Sequence, residues 1–155
     1  ITSPVIMRLL EERLPFRSIT VMVQKEAAER LCAPVGSREA GAVTVAVQYY
    51  AQAEKLFSVS RGSFLPAPNV DSAVIRLQIR QAPAVALTDE KKFFRMVKAA
   101  FGQRRKTALN AISAGMALPK GDVAAALEAA GLEGNVRAEK LSMEELAALC
   151  EALPG

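Results

Sequence analysis

The change of period along this chain constrains its fold more than any other feature. Every strand-like run lies before residue 81, and everything after Thr88 carries helical spacing. Residues 18–23 (Ser-Ile-Thr-Val-Met-Val) form a nearly continuous β-branched run, which predicts a strand buried on both faces, as in a parallel sheet. Residues 55–60 and 72–80 alternate and also read as strands. The spacing of Val5, Ile6, Leu9, Leu10 and Leu14 predicts an opening helix that Thr2 or Ser3 caps and Pro15 ends. Residues 25–33 continue as a helix, and residues 37–41 form a loop. Residues 42–53 fit either period and are read here as helix. Thr88 is expected to cap a helix carrying Phe93, Phe94, Val97 and Phe101 that Gly102 breaks. Further helices are expected over 104–114 and from Gly121 to Gly131. A last one starts at Ser142, where Glu145 completes a capping box. The expected class is α/β, with a sheet-bearing part over 1–81 and a small four-helix part over 82–155.

Composition removes several function classes. The chain has 155 residues and no His, so the commonest general base and metal ligand are missing. Cys32 and Cys150 lie far apart without CxxC spacing, so a zinc site or a Cys–His nucleophile is excluded, no metal is expected, and two reduced thiols of a cytoplasmic protein are. No apolar run approaches the roughly 18 residues that span a bilayer, so no membrane partner is expected. The first residues carry no signal-peptide pattern, and a chain that opens on Ile1 is expected to lack something upstream. There is no GxGxxG, P-loop or paired-carboxylate signature.

Two features remain. Phe64-Leu-Pro-Ala-Pro68 puts an aromatic on a proline-stiffened loop between two strands. Phe64 there either stacks on a flat ligand such as a base or plugs the sheet end. The second feature is charge. The net charge is +4, yet seven basic residues and no acidic ones lie between Lys91 and Lys106. From Asp122 to Glu151 there are seven acidic residues and two basic ones. Lys91, Arg95 and Lys98 share one helix face, and Arg104, Arg105 and Lys106 follow. Arg supplies a planar donor fork for phosphate oxygens and Lys a point charge. The run is either a polyanion-binding face or a solvated one.

Six stretches resemble the C-terminal part of the bacterial small-subunit rRNA adenine dimethyltransferases, the enzymes linked to kasugamycin sensitivity. They are Ile1-Thr-Ser-Pro4, Met22-Val-Gln-Lys-Glu26 with Ala28-Glu-Arg-Leu31, Val47-Gln-Tyr-Tyr50, Phe64-Leu-Pro-Ala-Pro-Asn-Val-Asp-Ser72, Phe101-Gly-Gln-Arg-Arg-Lys-Thr107 and Arg137-Ala-Glu-Lys-Leu-Ser142. Their order and spacing carry the resemblance. The resemblance implies the end of a Rossmann-like methyltransferase domain followed by a small all-α, rRNA-binding domain. It implies a parent enzyme that uses S-adenosylmethionine to dimethylate N6 of two adjacent adenosines in small-subunit rRNA. The cofactor loop and the Asn-Leu-Pro-Tyr motif of that family lie upstream of Ile1, so no catalytic residue and no bound cofactor are expected in this chain. Phe64, Pro66 and Pro68 match the target-base loop. Lys91, Arg95, Lys98, Arg104, Arg105 and Lys106 are expected to meet rRNA, within a 30S precursor. Asn69 stands where the family usually has Lys, and Ala108 where a larger residue is common. A stand-alone RNA-binding or ribosome-assembly module is the alternative reading. Macrolide-resistance methyltransferases share the Phe-x-Pro-x-Pro feature, but Arg137-Ala-Glu-Lys-Leu-Ser142 favours the small-subunit family. The chain alone is expected to self-associate through residues 1–81.

Overall fold

The computed structural model describes residues 2–155, with side chains from Ser3 onward. Its elements run α1 (Thr2–Glu11), β1 (Ser18–Gln24), α2 (Lys25–Cys32), α3 (Ala42–Tyr50), β2 (Ala51–Val59), β3 (Ser72–Ile79), α4 (Glu90–Phe101), α5 (Ala108–Met116), α6 (Lys120–Ala129) and α7 (Met143–Ala152). Single 3-10 turns lie at Arg61–Ser63 and Ala138–Lys140. Two compact units result: residues 1–33 with 46–84, and residues 34–45 with 85–155. The segment 34–45 sits within the stretch read as the sheet-bearing part but groups with the helical unit.

In the first unit the sheet order is β1-β3-β2, and both pairings are antiparallel. The parallel sheet expected from residues 18–23 is therefore corrected. So is burial on both faces: Ile19, Val21 and Val23 turn inward, while Ser18, Thr20, Met22 and Gln24 are exposed. A β-branched run reports fitness for a pleated surface, not how many faces are covered. The covered face carries Val23, Ala73, Ile75 and Leu77, with α2 packed on it through Ala28 and Leu31. On the opposite face Met22, Val74 and Phe57 align across all three strands through the paired register. Leu56 is the extra residue of a bulge between Lys55 and Phe57 in β2.

Local chemistry sets the element ends. α1 stops at Glu11, short of Pro15, because Arg13 takes a left-handed φ of 51° and Pro15 disfavours helix at Leu14. Ser3 lies inside α1, and the Thr2 side chain falls outside the described residues, as does Ile1. The ambiguous stretch 42–53 is helix to Tyr50 and strand from Ala51. The Gln48 amide donates to the carbonyls of Leu31 (3.0 Å) and Ala33 (2.7 Å), closing the end of α2.

In the helical unit, Asp89 and not Thr88 caps α4, its carboxylate accepting from the Lys92 N–H at 3.0 Å. Thr88 instead donates its N–H and hydroxyl to Glu151, at 2.9 and 2.7 Å. The core of α4 is Phe93, Met96, Val97 and Ala100, with Phe94 and Phe101 half-buried. The helix expected from residue 104 begins at Ala108, because Thr107 caps it by accepting from the Asn110 N–H. Gly131, at φ 74°, ends α6. The capping box at Ser142 and Glu145 is present, with both bonds near 3 Å (3.0 and 3.1 Å). Packing between α4 and α5 is tight: a Cβ on Gly115 would lie 2.5 Å from the Ala99 Cβ.

Candidate nucleic-acid interface

The basic run divides into residues with partners and residues without. Lys92 is buried, and its Nζ donates to the Leu153 carbonyl at 2.5 Å, just past the end of α7. A cation there meets the negative end of a helix and serves the fold. Arg104 donates from its guanidinium to the Ala40 carbonyl at 3.0 Å. That bond ties the loop after α4 to the segment 34–45, and Gly36 approaches the Leu141 backbone from the same segment. Among the described residues, Lys91, Arg95, Lys98, Arg105 and Lys106 are exposed and form no ion pair or hydrogen bond through their side chains. Lys91, Arg95 and Lys98 fall at i, i+4 and i+7 on α4, one helix face. Arg104, Arg105 and Lys106 sit in the turn between α4 and α5, not on a helix, and the Lys106 N–H donates to the Gln103 carbonyl at 3.0 Å.

A cleft beside this turn brings together Gln103, Arg104, Lys106, Arg137 and Glu139. Sequence reading left Arg137 out of the basic set. No local pattern marks it: the Ala108 N–H donates to the Val136 carbonyl at 2.8 Å, and this long-range bond returns the chain to the basic turn.

The proline loop lies in the sheet unit, between β2 and β3. Ser60 accepts from the Gly62 N–H, and the Arg61 N–H donates to Asp71 at 2.9 Å. The Arg61 guanidinium donates to the Asn69 carbonyl at 2.8 Å and lies 3.5 Å from Asp71. This clasp holds the loop ends together without fixing its tip. Phe64 follows the 3-10 turn and is half-buried, so it is neither a full plug nor a free side chain. Pro66 and Pro68 are exposed, the Leu65–Pro66 bond is cis, and Leu65 is 100% exposed. Arg61, Asp71 and Leu65 were not singled out from sequence. Asn69 acts here through its backbone, so the side chain that departs from the family pattern is not what shapes the loop.

Burial pushes the Cys150 thiol up to about 11, and burial with nearby Glu54 raises that of Cys32. Both favour the inert thiol form. Among the described residues no group of three or more Cys, Asp or Glu could hold a metal, and no helix is long and apolar enough to cross a membrane.

A family model described as ribosomal RNA adenine dimethylase matches residues 1–154. The chain belongs to the ribosomal RNA adenine dimethylase family. It is 49% identical over 158 residues to ribosomal RNA small subunit methyltransferase A of Geobacillus thermodenitrificans, covering 99% of this chain and 53% of the relative. It is 48% identical over 153 residues to the protein of that name from Desulfitobacterium hafniense, covering 99% and 55%. The chain thus spans about half the length of the curated relatives it matches. A dimethyladenosine transferase from Plasmodium falciparum shares the fold, with a TM-score of 0.74 at 24% identity, over 96% of this chain and 61% of that one. The 23S rRNA methyltransferase ErmE gives a TM-score of 0.67 at 25% identity, over 97% and 60%. The matched residues of this chain include its exposed basic face and its clasped proline loop.

Proposed function

We propose that this chain is the rRNA-facing part of an S-adenosylmethionine-dependent adenine dimethyltransferase acting on two adjacent adenosines of small-subunit rRNA. Its first unit is read as the end of the Rossmann-like methyltransferase domain, and its helical unit as the rRNA-binding domain. The carrying observation is the family match over residues 1–154 in a chain whose basic α4 face is left unneutralised. The naming of the curated relatives supports small-subunit over large-subunit rRNA as substrate.

The cofactor does not fit the residues described. Two grooves, of about 730 and 180 Å3, carry no Asp or Glu side chain to meet a ribose. No chemical step is assigned to this chain. Its part is positional. Phe64, with Pro66 and Pro68, takes the extruded adenine against the loop, since N6 is tied up while the base stays paired and stacked. Lys91, Lys98, Arg105 and Lys106 hold phosphates, Arg95 meets the rRNA from the same α4 face, and Arg104 holds the turn that presents Arg105 and Lys106. Holding the nucleotide in a fixed pose supplies rate without a general base.

The test is methyl transfer by the whole protein to small-subunit rRNA in a 30S precursor. N6,N6-dimethyladenosine is the expected product, and no transfer by the full-length protein overturns the proposal. Phe64→Ala is expected to slow transfer about tenfold, the loss of one base stack, while moving the melting temperature little. A large melting shift with normal activity of the folded remainder would return Phe64 to a plug.

A further inference from the structure

We infer that the groove between α4, α5 and the residues after α7 is a subsite for one unpaired nucleotide. The inference rests on the proposal that the helical unit meets rRNA. Arg95, Lys98 and Gln103 stand on one side of the groove, and Met116, Leu118 and Pro154 line it with apolar surface. Its volume is about 730 Å3, within the range of sites that enclose small ligands.

The lining specifies the occupant. Arg95 and Lys98 lie one turn apart on α4, are exposed, and have no ion-pair partner among the described residues. No Asp or Glu side chain lines the groove. The rim is therefore matched to an anion. Beneath it, Met116 and Leu118 are half-buried and offer apolar surface that a phosphate alone does not use. An anion with a flat, weakly polar body uses both, and a nucleotide has that form. A paired helix presents phosphates but keeps its bases stacked inside, so a groove adds nothing to its binding. An unpaired nucleotide places its phosphate at Lys98 and its base on Met116 and Leu118, with the Arg95 guanidinium plane over the base. An acidic peptide matches the rim but leaves the apolar floor unused. Gln103 lines both this groove and the cleft with Lys106 and Arg137, so a strand leaving the groove continues over the basic turn.

The test compares fluorescent single-stranded oligouridylate with an RNA duplex of equal phosphate count, each titrated with the whole protein. Arg95→Lys keeps the charge and removes the plane. Met116→Gln keeps the length and makes the floor polar. Each is expected to weaken single-strand binding about fivefold, with duplex affinity and salt slope unchanged. Melting curves establish that both variants are folded. Arg105→Ala with Lys106→Ala is expected to weaken both RNAs. If that pair weakens both RNAs while Arg95→Lys and Met116→Gln change neither, the nucleotide subsite is wrong and the rRNA-facing reading stands. If none of the variants weakens either RNA, both fail. Oligoglutamate that displaces oligouridylate at equal charge concentration shows an acidic-peptide groove and also overturns the inference.

Discussion

Arg104 donates to the Ala40 carbonyl, while Arg105, next to it, has no side-chain partner among the described residues. Adjacent arginines in one motif are thereby separated into a fold contact and an open charge. Arg105→Ala and Lys106→Ala are each expected to reduce the salt slope of RNA binding by roughly 1, the signature of a lost phosphate contact. Arg104→Ala is expected to leave that slope nearly unchanged and to destabilise the helical unit by about 1 kcal/mol through the lost hydrogen bond. Titrations across salt concentration, paired with thermal melts, separate the two effects. Glu151 makes a pH prediction. The Thr88 N–H and then its hydroxyl hold the Glu151 carboxyl below its ordinary value of 4.5. A group depressed by folding contributes stability that is present above its unfolded pKa and lost as pH falls through the folded one. Glu151→Gln is therefore expected to flatten the fall in melting temperature below pH 4.5 relative to the unmodified chain. An equal fall in both proteins would show that Glu151 does not couple to folding.

The close approach of α4 and α5 is the feature of element scale most exposed to a single methyl group. A Cβ at Gly115 would lie 2.5 Å from the Ala99 Cβ and 3.0 Å from its Cα, and neither atom is the end of a flexible chain. Gly115→Ala is expected to cost about 1–3 kcal/mol by overpacking, despite the better helix propensity of Ala. Ala99→Gly in the same background is expected to restore part of it, as denaturant melts of both variants will report. Much at this scale was legible in sequence because it is local. The capping box of α7 needs only Ser142 and Glu145, Gly131 marks the end of α6, and α2 follows from apolar spacing before Pro34. What was not legible depends on distant partners. Residues 18–23 carry no mark of strand direction, which is set by pairing with the distant residues 73–78 of β3. The start of α5 turned on Thr107 outcompeting three basic residues with good helix propensity. Segment 34–45 joins the helical unit through Arg104 and Leu141, contacts with no trace in local pattern. For the candidate interface, the basic run and the proline loop were visible from residue types alone. The burial of Lys92, the bond that exposed Arg104 makes to Ala40, and the place of Arg137 in the cleft were not.

At the scale of the whole molecule, the sheet of the first unit has more to cover than the described residues cover. Sheet order β1-β3-β2 leaves β1 and β2 as edges, each with a row of backbone donors and acceptors facing outward. One face is packed under α2, but Met22 (51% exposed) and Phe57 (56%) flank Val74 on the other, with Leu56 in the adjoining bulge. Two devices protect this face only in part. The bulge in β2 twists its edge, and the ion pair between Arg76 and Glu54 places charge at the sheet centre. Neither covers the apolar row. The helical unit has its own buried set in Phe93, Met96, Ile112, Leu127 and Leu146 and presents no comparable face. The 155-residue chain is therefore expected to self-associate through its sheet unit while leaving Lys91, Arg95 and Lys98 free. Light scattering should report a mass above 16.6 kDa that rises with concentration. Met22→Lys with Phe57→Lys should return it to the monomer mass without lowering RNA affinity, because the charges enter the sheet face and not the basic helix. A monodisperse monomer in the unmodified chain at tens of micromolar would mean that the bulge and the central ion pair suffice to protect the sheet. Association that persists in the double variant would point to edge pairing along β1 instead of contact across the apolar row.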